Sequence, residues 1–369
     1  MRRVCCISNC ASHYRESIYK RIDEEFDCAF AFGEKPVGVK DILSFDTGKL
    51  KRCRRLKNKI FIRAPFYWQE GVLPLLWEDC DDYIILGEPF CISTWLFLIL
   101  SKFYPKKRVF FWTHGWYGRE GFLKKILKKI FFKLGAGVFL YGNYARELMI
   151  KEGFDPKSLF VIHNSLNYAV QLDLREKLSG SDVYRNHFKN ENPNLIFLGR
   201  LTKVKSLDMI LRTLAILKSE GRIYNLTLVG DGSMKSDLQA LSRELGLENQ
   251  VWFYGACYDE KVNAELLYNA DLCVSPGNVG LTAIHSLMFG CPVLTHDNFK
   301  MQMPEFESIV SGKTGDFFEY GNVDSLAQKI GQWFDNSKDR ELIRKNCFEE
   351  IDNSWNPEYQ IDVFKRALS

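Results

Sequence analysis

No apolar run in this 369-residue sequence reaches the roughly 20 residues that a membrane-spanning helix requires. The longest, Cys91–Tyr104 (CISTWLFLILSKFY), is too short to cross a bilayer. The opening MRRVCCISNCASHYR has basic residues but no continuous apolar core, because Asn9 interrupts it, so it predicts a first core strand and not a signal peptide. Neither half has a Gly-x-Gly-x-x-Gly after its first strand, and the Walker pattern Gly-x-x-x-x-Gly-Lys-Ser/Thr is absent, which disfavours nicotinamide dinucleotides and P-loop chemistry. The eleven cysteines are irregularly spaced, which fits a reducing cytoplasm better than a disulfide framework. VCCISNC has no matching His/Cys cluster elsewhere, so its cysteines read as buried strand residues and not as a zinc site. The acidic run Glu78–Asp82 (EDCDD) reads as a solvated turn, and no metal site is expected. No motif that reads RNA or DNA is present, and no nucleic-acid partner is expected.

What is there is a globular, enzyme-like composition, 46% hydrophobic and 26% charged. The net charge of +4 hides an asymmetry. Residues 1–180 hold thirty Lys/Arg against twenty Asp/Glu, and residues 181–369 hold twenty against twenty-six. A basic first half suits an anionic partner. Short, continuously apolar segments end in polar or glycine residues: RVCCISN, KIFIRAPF, DYIILGE, RVFFWTHG and AGVFLYGN, then NLIFLGR, NLTLVGD, QVWFYGA, LCVSPGN and CPVLTHD. Such runs predict parallel strands covered on both faces. Helical windows separate them, as in SLDMILRTLAILKSEG, where Leu207, Ile210, Leu211, Leu214 and Leu217 recur at helical spacing.

Two such arrays predict an α/β protein of two doubly wound, Rossmann-like domains facing a cleft. The expected divisions are residues 1–170, residues 171–354, and a terminal helix over 355–369 that either packs on the second domain or crosses back to the first.

In doubly wound sheets ligands sit beyond the carboxyl ends of the strands, where Gly199, Gly230, Gly255, Gly277 and Gly280 fall. Arg200 follows a strand end and Lys205 precedes a helix. An arginine fork and a lysine point charge near a helix N-terminus make a diphosphate clamp, or alternatively two solvated surface cations. Gly230-Asp231-Gly232 reads either as a phosphate loop or as a tight turn.

Taken in order, GRLTKVKS, LVGDGSMKSDL, VWFYGACYDEKV, NADLCVSPG and HSLMFGCPVLT resemble the donor domain of family 4 retaining glycosyltransferases of the GT-B fold. FFWTHGWYGRE and VFLYGNYARELMIKEGFDPKSLFVIHNSL extend the resemblance into the first half. The resemblance implies that Arg200 and Lys205 bind the diphosphate of a nucleoside-diphosphate sugar and that Gly199, Gly230 and Asp231 border it. It places Gly280, Leu281 and Thr282 against phosphate or sugar, Gly255 beside the base, and His114 close to the transferred sugar. The chemistry agrees: negative charge builds on the departing diphosphate, fixed cations and N–H dipoles stabilise it, and no cofactor is required. The family's two glutamates, eight positions apart, correspond here to Gly277 and His285. His285 then offers a ring nitrogen to the ribose, or merely packs in its helix. Asn278 stands in for a contact to the sugar, and Glu305 and Glu307 are further candidates for a carboxylate.

In FLKKILKKIFFKLGAGVF, Ile126, Leu127, Ile130, Phe131 and Leu134 share one helical face. Lys124, Lys125, Lys128, Lys129 and Lys133 surround it, as in basic amphipathic helices at anionic membranes or in a core helix with a lysine-rich outer face. With Tyr14, Arg15 and Glu120, the lysines at 124, 125, 128 and 129 make up the expected acceptor or membrane side. The resulting expectation is a cytoplasmic glycosyltransferase at the inner face of the membrane. It would act on a lipid-linked or growing surface polysaccharide with retention. The alternatives are a nucleotide-sugar epimerase on the same scaffold and a non-catalytic sugar-nucleotide-binding subunit.

Overall fold

The computed structural model describes residues 2–34, 43–61, 65–336 and 339–369. The chain divides into two compact units, one of Met1–Asn167 with Asn356–Ser369 and one of Tyr168–Trp355.

The first unit holds an eight-stranded sheet: β1 (Arg3–Ser8), β2 (Asp27–Gly33), β3 (Cys53–Ile60), β4 (Tyr67–Glu70), β5 (Asp82–Leu86), β6 (Arg108–Thr113), β7 (Gly137–Leu140) and β8 (Leu159–Val161). Their order is β4-β3-β2-β1-β5-β6-β7-β8. Every pair is parallel except β3 with β4, which is antiparallel. The order reverses between β1 and β5, which opens a crevice at their carboxyl ends. The interior strands are continuously buried, as at Val4–Ser8, because helices cover both faces. The strand expected over KIFIRAPF is displaced: β3 ends at Ile60, and residues 62–64 of that segment lie outside the described residues. β3 is rich in exposed basic residues, so the apolar-run rule passed over most of it.

Cys5 and Cys6 are buried in β1, as expected; Cys10 is buried too, but it lies in the bend after β1 and not in the strand. The run Glu78–Asp82 is not wholly a solvated turn. Asp82 opens β5 fully buried, and its two carboxylate oxygens accept from Arg2 Nε at 2.7 Å and Arg108 Nε at 2.7 Å. Two flanking cations satisfy a charge that burial alone would make costly.

The terminal helix Pro357–Leu368 lies in the first unit. Phe364 meets the rings of Trp112 and Phe139, and Gln360 accepts from Ser165 Oγ at 2.7 Å. The ion pairs Glu358–Arg21 and Lys365–Glu25 tie the same helix to the helix Glu16–Glu25.

The second unit carries β9 (Asn194–Leu198), β10 (Asn225–Val229), β11 (Val251–Gly255), β12 (Leu272–Ser275), β13 (Val293–His296) and β14 (Gly315–Phe318), ordered β11-β10-β9-β12-β13-β14. All pairs are parallel, and the order reverses between β9 and β12. The helix Asp208–Ser219 buries Ile210, Leu211, Leu214 and Leu217, the spacing read from the sequence. Both units are Rossmann-like.

Candidate functional site

In the second unit three glycines gather at adjacent strand ends. Gly199 N–H donates to Val229 O at 2.9 Å, Gly230 N–H donates to Gly255 O at 2.8 Å, and Leu201 N–H to Asp231 O at 2.9 Å. These bonds continue the parallel ladder past β9, β10 and β11, so the loops carrying Arg200 and Asp231 leave the sheet side by side. Both side chains are exposed.

Lys205 lies in a short 3-10 turn, Lys203–Lys205, before the helix Asp208–Ser219. Its Nζ donates to the Asn278 backbone oxygen at 2.5 Å and to Asn278 Oδ1 at 2.9 Å. Burial pushes the Lys205 ammonium down to about 8; the negative charge of Glu305 opposes that shift and Arg200 reinforces it. The loop 277–280 is pinned at both ends, by Gly277 N–H to Lys205 O at 3.0 Å and Val279 N–H to Gln302 Oε1 at 2.9 Å. Gln302 in turn donates to Thr295 Oγ1 and to His296 O, which anchors the loop to β13.

The short helix Thr282–Met288 begins after Leu281, with Thr282 Oγ1 donating to Leu198 O at 2.9 Å. His285 projects from it and places Nε2 2.9 Å from Oε1 of Glu260, at the start of the helix Glu260–Asn269 that follows β11. Gln171 also donates to that oxygen, at 2.7 Å. Burial raises the Glu260 carboxyl, but the bonds and charge of His285, with Gln171 and Asn263, bring it below its ordinary value. Glu305 is buried and Glu307 half-buried.

The first unit has its own cavity of about 400 Å³ at the carboxyl ends of β1, β5, β6 and β7. Tyr14, Arg15, Glu88, His114, Lys124 and Lys128 are among its lining. Burial pushes His114 down to about 4, and the positive charges of Arg15 and Lys128 act in the same direction. The imidazole is therefore neutral at physiological pH. Glu88 accepts from Tyr67 Oη at 2.9 Å and Asn9 Nδ2 at 3.3 Å, and burial raises its carboxyl.

Residues 182–349 match the family described as glycosyl transferases group 1. The second unit carries a group 1 glycosyl transferase domain. Over 221 residues the chain is 24% identical to an uncharacterised glycosyltransferase of Methanocaldococcus jannaschii, covering 56% of this chain and 54% of that protein. It is 30% identical over 157 residues to an alpha-monoglucosyldiacylglycerol synthase of Streptococcus pneumoniae, covering 41% of this chain and 32% of that one. The chain thus spans about half or less of these curated relatives. Anabaena HepE, solved with UDP, superposes with a TM-score of 0.70 at 16% identity, over 100% of this chain and 99% of its own. The fold is GT-B.

Within the glycosyl transferase domain, the structure brings together Gly199, Arg200, Lys205, Gly230, Asp231, Gly255, Asn278 and the Gly280–Thr282 turn at the carboxyl edge of one sheet. Asn278 is not a free polar arm, since its side chain accepts from Lys205. The first of the family's glutamates is excluded at 277 on steric grounds. A Cβ there would run into Val204 O and Lys205 Cα, so only glycine fits. Glu260, Gln171 and Gln302 were missed from sequence. Glu260 lies 25 positions from His285, and its sole local signal is the Asp259-Glu260 helix start.

The helix Phe122–Lys133 overturns part of the expected membrane side. Lys128 is buried, not lipid-facing: its Nζ donates to Gly115 O at 2.5 Å and to Glu120 at 2.8 Å, and lies 4.7 Å from the Trp116 ring centroid. Glu120 also accepts from the Tyr117 and Gly118 N–H groups, so the pair holds the loop that follows His114. Lys125 is engaged by Glu152 at 2.7 Å, whereas Lys124 is exposed and Lys129 half-buried. The expected apolar face also divides. Phe131 turns inward with Phe132, while Ile126, Leu127 and Ile130 face outward in line with Phe122 and Leu123, which are 76% and 80% exposed.

Among the described residues no group of three or more His, Cys, Asp or Glu side chains is placed to hold a metal ion. No described helix is long and apolar enough to cross a membrane.

Proposed function

We propose that the chain transfers a sugar from a nucleoside-diphosphate sugar to a lipid-linked or growing surface polysaccharide, with retention. The observation that carries this reading is the pairing of Lys205 and Arg200 with glycine turns at the carboxyl edge of the second sheet. In the reaction the bond from the anomeric carbon to phosphate breaks, and charge accumulates on the departing diphosphate. Arg200 meets those oxygens as a fork and Lys205 as a point charge, so both stabilise the transition state more than the donor. The turn Gly280-Leu281-Thr282 offers backbone N–H groups beside them, and Gly199, Gly230 and Asp231 border the same edge. Gly255 and the Glu260–His285 pair take the nucleoside end, with His285 and Glu260 available to the ribose hydroxyls.

His114, kept neutral by burial and neighbouring cations, accepts or donates a hydrogen bond at the transferred sugar or the incoming hydroxyl. Anabaena HepE, of the same fold, was solved with UDP, and a uridine donor is the first to test.

The acceptor side is the first unit, through Tyr14, Arg15 and the cavity they border. The outward apolar stripe of the helix Phe122–Lys133, with exposed Lys124 and half-buried Lys129 beside it, supports the reading of a peripheral, cytoplasmic protein that meets an anionic membrane surface through this unit.

The test is a donor screen with membrane extract as the acceptor source. Transfer predicts nucleoside diphosphate released only with acceptor present. Release of a new sugar nucleotide without acceptor would show epimerisation, and binding without turnover a non-catalytic subunit.

A further inference from the structure

Arg15 presents an energetic imbalance. It is 8% exposed and lines the first unit's cavity, yet it forms no ion pair among the described residues. Its Nη2 meets Tyr141 Oη, its Nη1 lies 3.5 Å from Tyr19 Oη, and its Nε has no hydrogen-bond partner among the described residues. The guanidinium otherwise rests on ring faces, 4.9 Å from the Trp112 centroid and 5.6 Å from that of Tyr14. Aromatic faces and hydroxyls compensate a buried cation only in part, and a full charge removed from water without a counter-ion is left under-solvated. The cavity's own carboxylate, Glu88, is directed to Tyr67 and Asn9. Lys128 is already matched by Glu120. Among the described residues this leaves Arg15 as a buried positive charge without a counter-ion, with the exposed Lys124 at the mouth of a space of about 400 Å³.

A second observation sits beside it. His114, on the same cavity, has a sealed Nδ1 without a hydrogen-bond partner among the described residues, and its ring is close enough to Arg15 and Lys128 to feel both charges. Arg15 and His114 are thus two polar side chains in the lining of one cavity, each with a sealed nitrogen that has no hydrogen-bond partner among the described residues, and the charge that reaches His114 is positive. The rim is continuous with the outward stripe, because Lys124 and Leu127 line the cavity and belong to the helix Phe122–Lys133.

We propose that this cavity binds a phosphate group of the acceptor, with Arg15 as its anchoring cation, so that the acceptor is a phosphate-linked lipid whose chain runs out along the Phe122–Ile130 stripe. An arginine fork fits two phosphate oxygens, and the exposed Lys124 adds charge at the mouth. The inference rests on the glycosyltransferase reading for the word acceptor, but the anion site is a property of the first unit's own residues.

The experiment uses the full chain saturated with UDP, so that the Arg200 and Lys205 site is occupied. Inorganic pyrophosphate, farnesyl diphosphate and farnesol are each titrated calorimetrically into wild type and Arg15→Gln. Both diphosphates should bind wild type. Arg15→Gln should weaken each by at least about tenfold, as expected for a lost charge-assisted contact, with UDP affinity unchanged. Farnesol should show no Arg15 dependence. Tighter binding of farnesyl diphosphate than of pyrophosphate identifies the lipid source, and equal binding identifies a free phosphate and removes the lipid part of the proposal. No diphosphate binding, or equal affinity for wild type and Arg15→Gln, overturns the site. If Arg15→Gln does not unfold cooperatively, Lys124→Gln takes its place. A loss of about threefold is then expected from an exposed rim charge, and none would overturn the site. If UDP itself fails to bind, the donor reading falls alone, and the Arg15-dependent titration still decides this one.

Discussion

His285 Nε2 and Glu260 Oε1 lie 2.9 Å apart, on two different helices of the second unit. The pair brings a carboxylate to position 285 from a residue that approaches through space. If the pair reads the ribose, Glu260→Ala should weaken UDP binding by about ten- to a hundredfold, the range for hydrogen bonds to a charged group. The same change should cost 2′,3′-dideoxy-UDP much less. Equal losses for the two nucleotides, measured by titration calorimetry, would show that Glu260 serves only to hold its helix.

Reinstating the family's other glutamate should fail. Gly277→Glu places a Cβ against Val204 O and the Lys205 backbone, both fixed by the loop's own hydrogen bonds. We expect a destabilisation of roughly 2–4 kcal/mol, in the range of other backbone-strain and overpacking changes. A urea melt gives the value, and an unchanged midpoint would mean that the loop is freer than its bonding indicates.

The protonation of Lys205 predicts a pH dependence for donor binding. Its folded-state value, pushed down to about 8, lies below the ordinary lysine range, so the free protein loses this proton as pH rises through about 8. A diphosphate favours the charged form and therefore takes up a proton on binding. Affinity should be flat below about pH 7.5 and fall towards tenfold per unit above 8. Lys205→Arg, which stays charged, should abolish the slope between pH 7.5 and 9. A slope that persists in the arginine variant would place the titrating group elsewhere.

Breaking the Lys128–Glu120 pair should be costly, since both side chains are buried. Glu120→Gln leaves the ammonium without its counter-charge, and about 3–5 kcal/mol of stability should be lost. The double variant Glu120→Gln/Lys128→Met should recover part of it. Additive losses in chemical denaturation would contradict a direct coupling.

The stripe on Phe122–Lys133 makes the opposite prediction. Leu123→Ser and Ile130→Ser remove exposed side chains, so stability should move by no more than about 0.5 kcal/mol. Sedimentation with vesicles rich in phosphatidylglycerol should fall several-fold, and neutral vesicles should bind weakly throughout. Unchanged sedimentation of the double variant would remove the membrane assignment.

Several features were legible in the sequence because they are local. Continuous apolar runs ending in polar or glycine residues marked β1, β5, β6 and β7 and the strands β9 to β13, since a parallel strand covered on both faces needs no partner to show its pattern. The positions of Gly199, Arg200 and Lys205 after a strand end were visible for the same reason. The basic strand β3, which lies between β2 and β4, and the short β4, β8 and β14 were not, because pairing and not hydropathy defines them; β2 was passed over although Cys28–Phe32 form a mostly buried apolar run. The sequence alone determined the two doubly wound units and the residues at their strand ends. Tertiary structure decided which charges are spent and which are left over. It matched Lys128 with Glu120, turned Ile126 and Ile130 outward, carried Glu260 to His285 across 25 positions and left Arg15 buried without a counter-ion among the described residues. Burial and long-range pairing set the energy of a charge, and neither is encoded by spacing along the chain.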